Sequence, residues 1–168
     1  PAATAPWSAA SRMKQGWALG DVDGHVFHLD ASGETNWKFR CNSPVSLLTP
    51  SAGGGLLIVD RTRFLHRLDS GGKLIGSAIL LPGDAMQLFP DGLILFDEGT
   101  TWKQNQITRG PVPFTTSRES GSKKFYGTNT GWAVIDDDSI KQFQSPSPAS
   151  CAPLEASGDS GSAWVAGR

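Results

Sequence analysis

Residues 20–39 read GDVDGHVFHLDASGETNWKF, and this stretch decides the fold class. The apolar run 17–22 leads into Asp23-Gly24, a hairpin signal because glycine accepts a positive φ at no steric cost. Residues 25–30 then alternate, with Val26 and His28 on one face and Phe27 and Leu29 on the other. Ser32-Gly33 supplies the next turn. Residues 35–40 form a third strand with Trp37 and Phe39 on one side, and 44–50 (PVSLLTP) read as a fourth, followed by a loop at 51–55. The pattern is strand, tight turn, strand, tight turn, strand, with no helical stripe.

Weaker copies follow. The second runs LLIVDRT from Leu56, then RFLHRLDS, the turn Gly71-Gly72, KLIGSAIL and DAMQLF, closing at Pro90-Asp91-Gly92. Leu29-Asp30 and Leu68-Asp69 hold matching places 39 residues apart. The third copy opens with LILFDEG and TTWKQNQIT, after which 109–122 is irregular. The fourth reads KFYGTNT, GWAVIDDD and SIKQFQS, then a Pro-rich connection and CAPLEAS. First strands begin near Trp17, Leu56, Leu93, Phe125 and Ala163, at intervals of 39, 37, 32 and 38. A period of roughly 40 residues with four strands per unit predicts an all-β chain of four-stranded antiparallel propeller blades. A sandwich or small barrel has similar composition but needs no such period.

The expected units are a lead-in at 1–15 with a strand of a flanking blade, blades at 16–55, 56–92, 93–123 (irregular) and 124–161, and the first strand of a further blade at 162–168. Four blades with flanking strands at each end predict part of a larger propeller, or one completed by a partner. The chain begins at Pro1, so a processed or partial N-terminus is expected and a signal peptide can precede it.

Composition agrees with the pattern. Gly (20) and Pro (11) are abundant, charged residues are only 18%, and the six Trp suit packing between sheets. A net charge of −1 with no basic cluster predicts no nucleic-acid partner. No apolar run approaches the ~18 residues of a membrane-spanning helix. Cys41 and Cys151 are compatible with one bridge or with two separate thiols, and without a CxxC or Cys/His cluster no metal is expected.

The first two copies resemble blades of the quinoprotein-like, or PQQ-repeat, β-propeller family. The resemblance rests on Asp23-Gly24, Leu29-Asp30, Gly33 and Trp37 in the first copy and on Leu68-Asp69 and Gly71-Gly72 in the second, where Ile75 stands near the tryptophan's place. It implies structural roles for Gly24, Leu29, Asp30, Gly33, Leu68 and Asp69. It also implies that Trp37 docks between neighbouring blades. A periplasmic or extracellular location follows from the same likeness.

Several short motifs invite chemistry. Residues 158–162 (GDSGS) match the surroundings of a protease serine, but only six residues follow and His25, His28 and His66 lack the matching context, so a turn is the better reading. Asp21 and Asp23 form a DxDG, yet His25 and Val26 stand where a calcium loop continues with oxygen ligands, so a hairpin is expected. The acidic triplet 136–138 reads as a solvated turn, and the histidines, of which His28 and His66 fall in neighbouring second strands, show no ligand spacing. The turns after each first strand carry Asp21, Asp23, Arg61, Arg63, Asp97, Glu98 and Asn129. In a propeller these share one face, so they are the candidate binding residues for a partner protein.

No coherent catalytic set emerges, which weighs against an enzyme. The leading expectation is a non-enzymatic propeller that scaffolds protein–protein interaction within a larger assembly, needs no cofactor, and pairs with another protein or a second copy of the chain. The alternatives are a fragment of a PQQ-dependent quinoprotein dehydrogenase, which needs acids and a stacking Trp from several blades, and a carbohydrate-binding propeller, which needs exposed Trp in grooves.

Overall fold

The structure, a computed structural model, describes residues 5–96, 100–109, 114–120, 123–128, 131–136, 139–144, 152–153 and 165–166. Every described element is a strand. The first sheet holds β1 (Trp7–Arg12), β2 (Trp17–Asp21), β3 (His25–Leu29) and β4 (Thr35–Arg40), in the order β1-β2-β3-β4. The second holds β5 (Val45–Pro50), β6 (Leu56–Asp60), β7 (Phe64–Leu68) and β8 (Ile79–Leu80), again in sequence order. The third is β9 (Ala85–Leu88), β10 (Ile94–Phe96), β11 (Thr100–Lys103) and β12 (Gln106–Arg109). The fourth is β13 (Phe114–Ser120), β14 (Lys123–Thr128), β15 (Gly131–Asp136) and β16 (Ser139–Gln144), and β17 (Ala152–Pro153) pairs with β18 (Val165–Ala166). Two compact units result, Pro1–Leu95 with Trp102–Gln106, and Phe96–Thr101 with Ile107–Arg168.

The period is as the sequence predicts, but the sheets are phased one strand earlier than the repeat. Residues 44–50, read as the fourth strand of the first copy, instead form the inner partner of β6, with Val45 opposite Asp60 and Pro50 opposite Leu56. The strand at 7–12 likewise joins the first copy rather than a flanking blade. Three of the first strands, β1, β5 and β13, have a bulge near the start: at Ser8 between Trp7 and Ala9, at Ser46 between Val45 and Leu47, and at Thr115 between Phe114 and Thr116. A bulge leaves one residue unpaired and sharpens the local twist. The freed hydroxyls of Ser8 and Ser46 donate to the carbonyls of Gly20 (3.2 Å) and Val59 (2.9 Å). Ser8 also reaches the Val45 carbonyl of the next sheet at 2.7 Å.

Two further readings are corrected. TTWKQNQIT is not one strand: Gln104 (φ 50) and Asn105 (φ 66) make a two-residue hairpin turn between β11 and β12. The irregular stretch 109–122 contains β13, a seven-residue strand.

The core of the first unit lies between its first two sheets, where Ala18, Val26 and Cys41 meet Val45, Leu48, Leu56, Ile58 and Leu68. Burying each large aliphatic side chain here contributes about 1.5–3 kcal/mol. Gly20 allows the close approach, because a Cβ there would stand 2.6 Å from Val45. Leu68 is buried opposite Leu56, whereas Leu29 is only half-buried, since its partner Trp17 sits exposed at the end of the first sheet.

Candidate functional site

Four of the hairpin turns share one construction. In each, the first residue's carbonyl accepts from the amide three positions on: Gly24 to Asp21, Gly33 to Asp30, Arg63 to Asp60, Gly72 to Asp69. The fourth residue is left-handed, with φ of 85° at Gly24, 88° at Gly33 and 80° at Gly72. This is a type I turn closed by a one-residue bulge. The aspartate completes it by turning one carboxylate oxygen onto the amides two and four residues ahead: Asp23 and His25 for Asp21, Ser32 and Glu34 for Asp30, Thr62 and Phe64 for Asp60, Gly71 and Lys73 for Asp69. The Ser32 hydroxyl first, and then the amides of Glu34, Ser32 and Gly33, hold the Asp30 carboxyl below the usual carboxylate range against the opposing effect of burial.

This construction decides what Asp21 does. It is fully buried, with one oxygen on two amides and the other 3.1 Å from Nδ1 of His25. Asp23 projects into solvent from the same turn. The turn at 60–64 is built the same way with one change: Arg63, held at φ 67°, occupies the place of the glycine. A left-handed non-glycine residue carries about 1–2 kcal/mol of local strain. Arg61 and Arg63 are both exposed. The remaining one-face candidates, Asp97, Glu98 and Asn129, lie outside the described residues, as do GDSGS at 158–162 and Asp137 and Asp138.

Beside Arg63 the outer strand of the second sheet is short. Leu81 donates to the Arg63 carbonyl at 2.8 Å, and Leu80 pairs with Phe64. Where the first sheet has six residues in β4, the second has only the pair in β8 and an isolated bridge from Leu68 to Leu74, interrupted by Gly76 at φ 71°. Along this shortened edge Leu74, Ile75 and Leu80 expose apolar side chains, at 42%, 53% and 58%. The sequence reading missed this edge. Its signal was the absence of a tryptophan and of alternation in KLIGSAIL.

Trp37 reaches from the first sheet to the second. Its Nε1–H donates to the Ser70 carbonyl of the second sheet at 3.1 Å, and its ring lies where a side chain on Gly72 would be. His28 stacks on Trp37 at 5.2 Å and meets the Gln15 carbonyl at 2.8 Å through Nε2, while its Nδ1 is buried without a partner. His28 and His66 do not share a face: 39 residues back from His66 is Phe27, so His28 corresponds to Arg67.

A cleft of about 450 Å³ opens on the other side of the second sheet. Leu57, Leu65 and Trp102 wall it, and Arg67, Asp91, Gln104 and Asn105 rim it. Trp102 is buried, so the cleft offers no open ring face of the kind sugar stacking uses.

At the seam of the first two sheets Cys41, Asp60 and His66 are all buried, with one donor atom from each within 4.8 Å of the others. Cys41 is a free thiol, and burial with the nearby Asp60 charge pushes it up to about 12. No local spacing announces this cluster, because its members come from two sheets.

No protein-family model and no curated protein sequence matches the chain. Solved structures do resemble it. BBS1N in complex with ARL6DN superposes with a TM-score of 0.71 at 12% identity, over 92% of this chain and 60% of that one. BamB from Moraxella catarrhalis gives 0.60 at 15%, over 80% and 48%. A streptogramin B lyase gives 0.63 at 17%, over 97% and 63%. The chain spans about half to three-fifths of the length of these structures. Identities this low speak for the fold alone, and the fold is a β-propeller built of four-stranded antiparallel sheets.

Proposed function

We propose that the chain is a non-catalytic propeller module that docks another protein at the outer corner of its second sheet. One observation carries the reading: the strained, exposed Arg63 stands at one end of the outer edge of the second sheet, beside exposed Leu80, and the same edge exposes Leu74 and Ile75 further along. Strain in an exposed turn persists when something other than stability keeps it. Exposed leucines next to arginines match the usual anatomy of an interface, an apolar centre with a charged rim. Arg61 and Arg63 call for a partner with acidic groups around an apolar strip. Asp23, exposed in the equivalent turn of the first sheet, belongs to the same set of turns.

The structure of BBS1N with ARL6DN shows a protein of similar fold in a protein complex, which supports this use of the architecture. Among the described residues no helix is long and apolar enough to cross a membrane. The finer kinship we propose is with PQQ-repeat blades, supported by Trp37 bridging to Ser70 over Gly72.

The test compares the full chain with an Arg63→Glu/Leu80→Glu variant, by affinity capture from the source cells and by light scattering of the purified proteins. A stoichiometric partner, or a second copy of the chain, held by the wild type and lost by the folded variant supports the reading. A monomer whose captured proteins are unchanged by the variant overturns it.

A further inference from the structure

We propose that Cys41, Asp60 and His66 bind one divalent transition-metal ion of the zinc class at the seam between the first and second sheets. Cys41 follows β4, Asp60 ends β6 and His66 lies in the middle of β7. Their exposures are 1%, 1% and 6%, and thiol, carboxylate and imidazole donors lie within 4.8 Å of one another. Asp60 and His66 already meet at 3.0 Å through Oδ2 and Nε2. In a tetrahedral zinc site, bond lengths of about 2.0–2.3 Å place neighbouring donors roughly 3.3–3.8 Å apart. Closing onto an ion therefore takes small side-chain shifts, and a water or main-chain oxygen completes the fourth position.

The repeat shows that packing alone does not require these residue types. One repeat away, Leu81 holds the place of Cys41: Leu81 donates to the Arg63 carbonyl as Cys41 donates to that of Gly24, both at 2.8 Å, and both side chains are 1% exposed. Phe27 holds the place of His66. The fold thus fills the equivalent positions with Leu and Phe. The aspartate's need for a partner is also met differently in the first sheet, where His25 at the strand's first position binds Asp21 from a more open site. In the second sheet Phe64 takes that first position, and the histidine moves to the buried third position, next to the thiol.

Charge supports the same assignment. A dication balances one thiolate and one carboxylate, so the loaded cluster is neutral, and the thiol proton is released to solvent on binding. The ring proton of His66 resides on the nitrogen that does not ligate. Phe39, edge-on at 5.6 Å, and Phe64 fix the imidazole plane. Catalysis by the same three groups is excluded by access, since a substrate cannot reach a thiol this buried.

The experiment titrates the full chain, stripped with EDTA under reducing conditions, with Co(II). The expected result is one equivalent bound, with the near-ultraviolet thiolate-to-cobalt absorption and the visible bands of tetrahedral cobalt. Cys41→Ser abolishes the thiolate band and His66→Phe, the residue of the first repeat, abolishes stoichiometric binding, while Cys151→Ser changes neither. Zn(II) raises the melting temperature of the wild type and not of these two site variants. Circular dichroism verifies that the variants fold, and Asp60→Asn, which keeps the turn's accepting oxygen, provides a further site variant. The proposal is overturned by a folded wild type without the thiolate band, by a band that survives Cys41→Ser or vanishes with Cys151→Ser, or by an equal zinc shift in His66→Phe or Asp60→Asn.

Discussion

Trp37 and Gly72 fit together across the first two sheets: a Cβ on Gly72 would stand 2.5 Å from the indole ring, which donates to the neighbouring Ser70 carbonyl. The glycine is needed twice over, for this contact and for its φ of 80°. Gly72→Ala is expected to cost about 2–3 kcal/mol, from left-handed strain plus overpacking. Once Trp37→Ala has emptied the site, the added cost of Gly72→Ala falls to the strain of about 1 kcal/mol. A double-mutant cycle by urea unfolding measures the difference, and additive costs would show that the contact contributes nothing.

Arg63 is the reverse case. Arg63→Gly matches the residue to its φ of 67° and is expected to stabilise the chain by up to about 1 kcal/mol. If Arg63 serves docking, the same variant loses partner binding as it gains stability. Paired melting and binding measurements reveal that opposition.

The turn of Gln104 and Asn105 has positive φ at both positions, a geometry that Asn-Gly satisfies with the least strain. Gln104→Asn/Asn105→Gly is expected to raise stability by about 0.5–1 kcal/mol. Chemical unfolding tests this, and a loss of stability would contradict the assigned turn.

Cys41 sets an alkaline limit in the metal-free chain. Its pKa rises from the usual 9.0 to about 12 on folding, first through burial and then through Asp60. A raised folded pKa means the unfolded thiol ionises first. The thiol's contribution is therefore complete below pH 9 and declines as pH climbs toward 12. Melting temperatures taken with EDTA should fall less steeply over that window in Cys41→Ala than in the wild type, and identical slopes would refute the assignment. In the folded protein Cys41 should also resist thiol reagents at pH 8 until the chain is unfolded.

Local chemistry was legible wherever neighbours in sequence are neighbours in space. Asp23-Gly24, Ser32-Gly33 and Gly71-Gly72 mark real turns because a type I turn with its bulge closes within five residues. His25 explains itself only once Asp21 is seen to need a partner for its second oxygen. The bulged Ser8 and Ser46 were unread because a bulge is a property of two strands at once.

The sequence by itself determined the all-β class, the period near 40 residues and the hairpins, since each follows from residue conformational preference and alternation. Tertiary structure alone decided which sheet a strand joins: Val45–Pro50 pairs with Leu56–Asp60, a register set by contacts across strands rather than by its own pattern. It alone set Cys41 beside Asp60 and His66. That meeting depends on how two sheets pack, and no spacing within one strand encodes it.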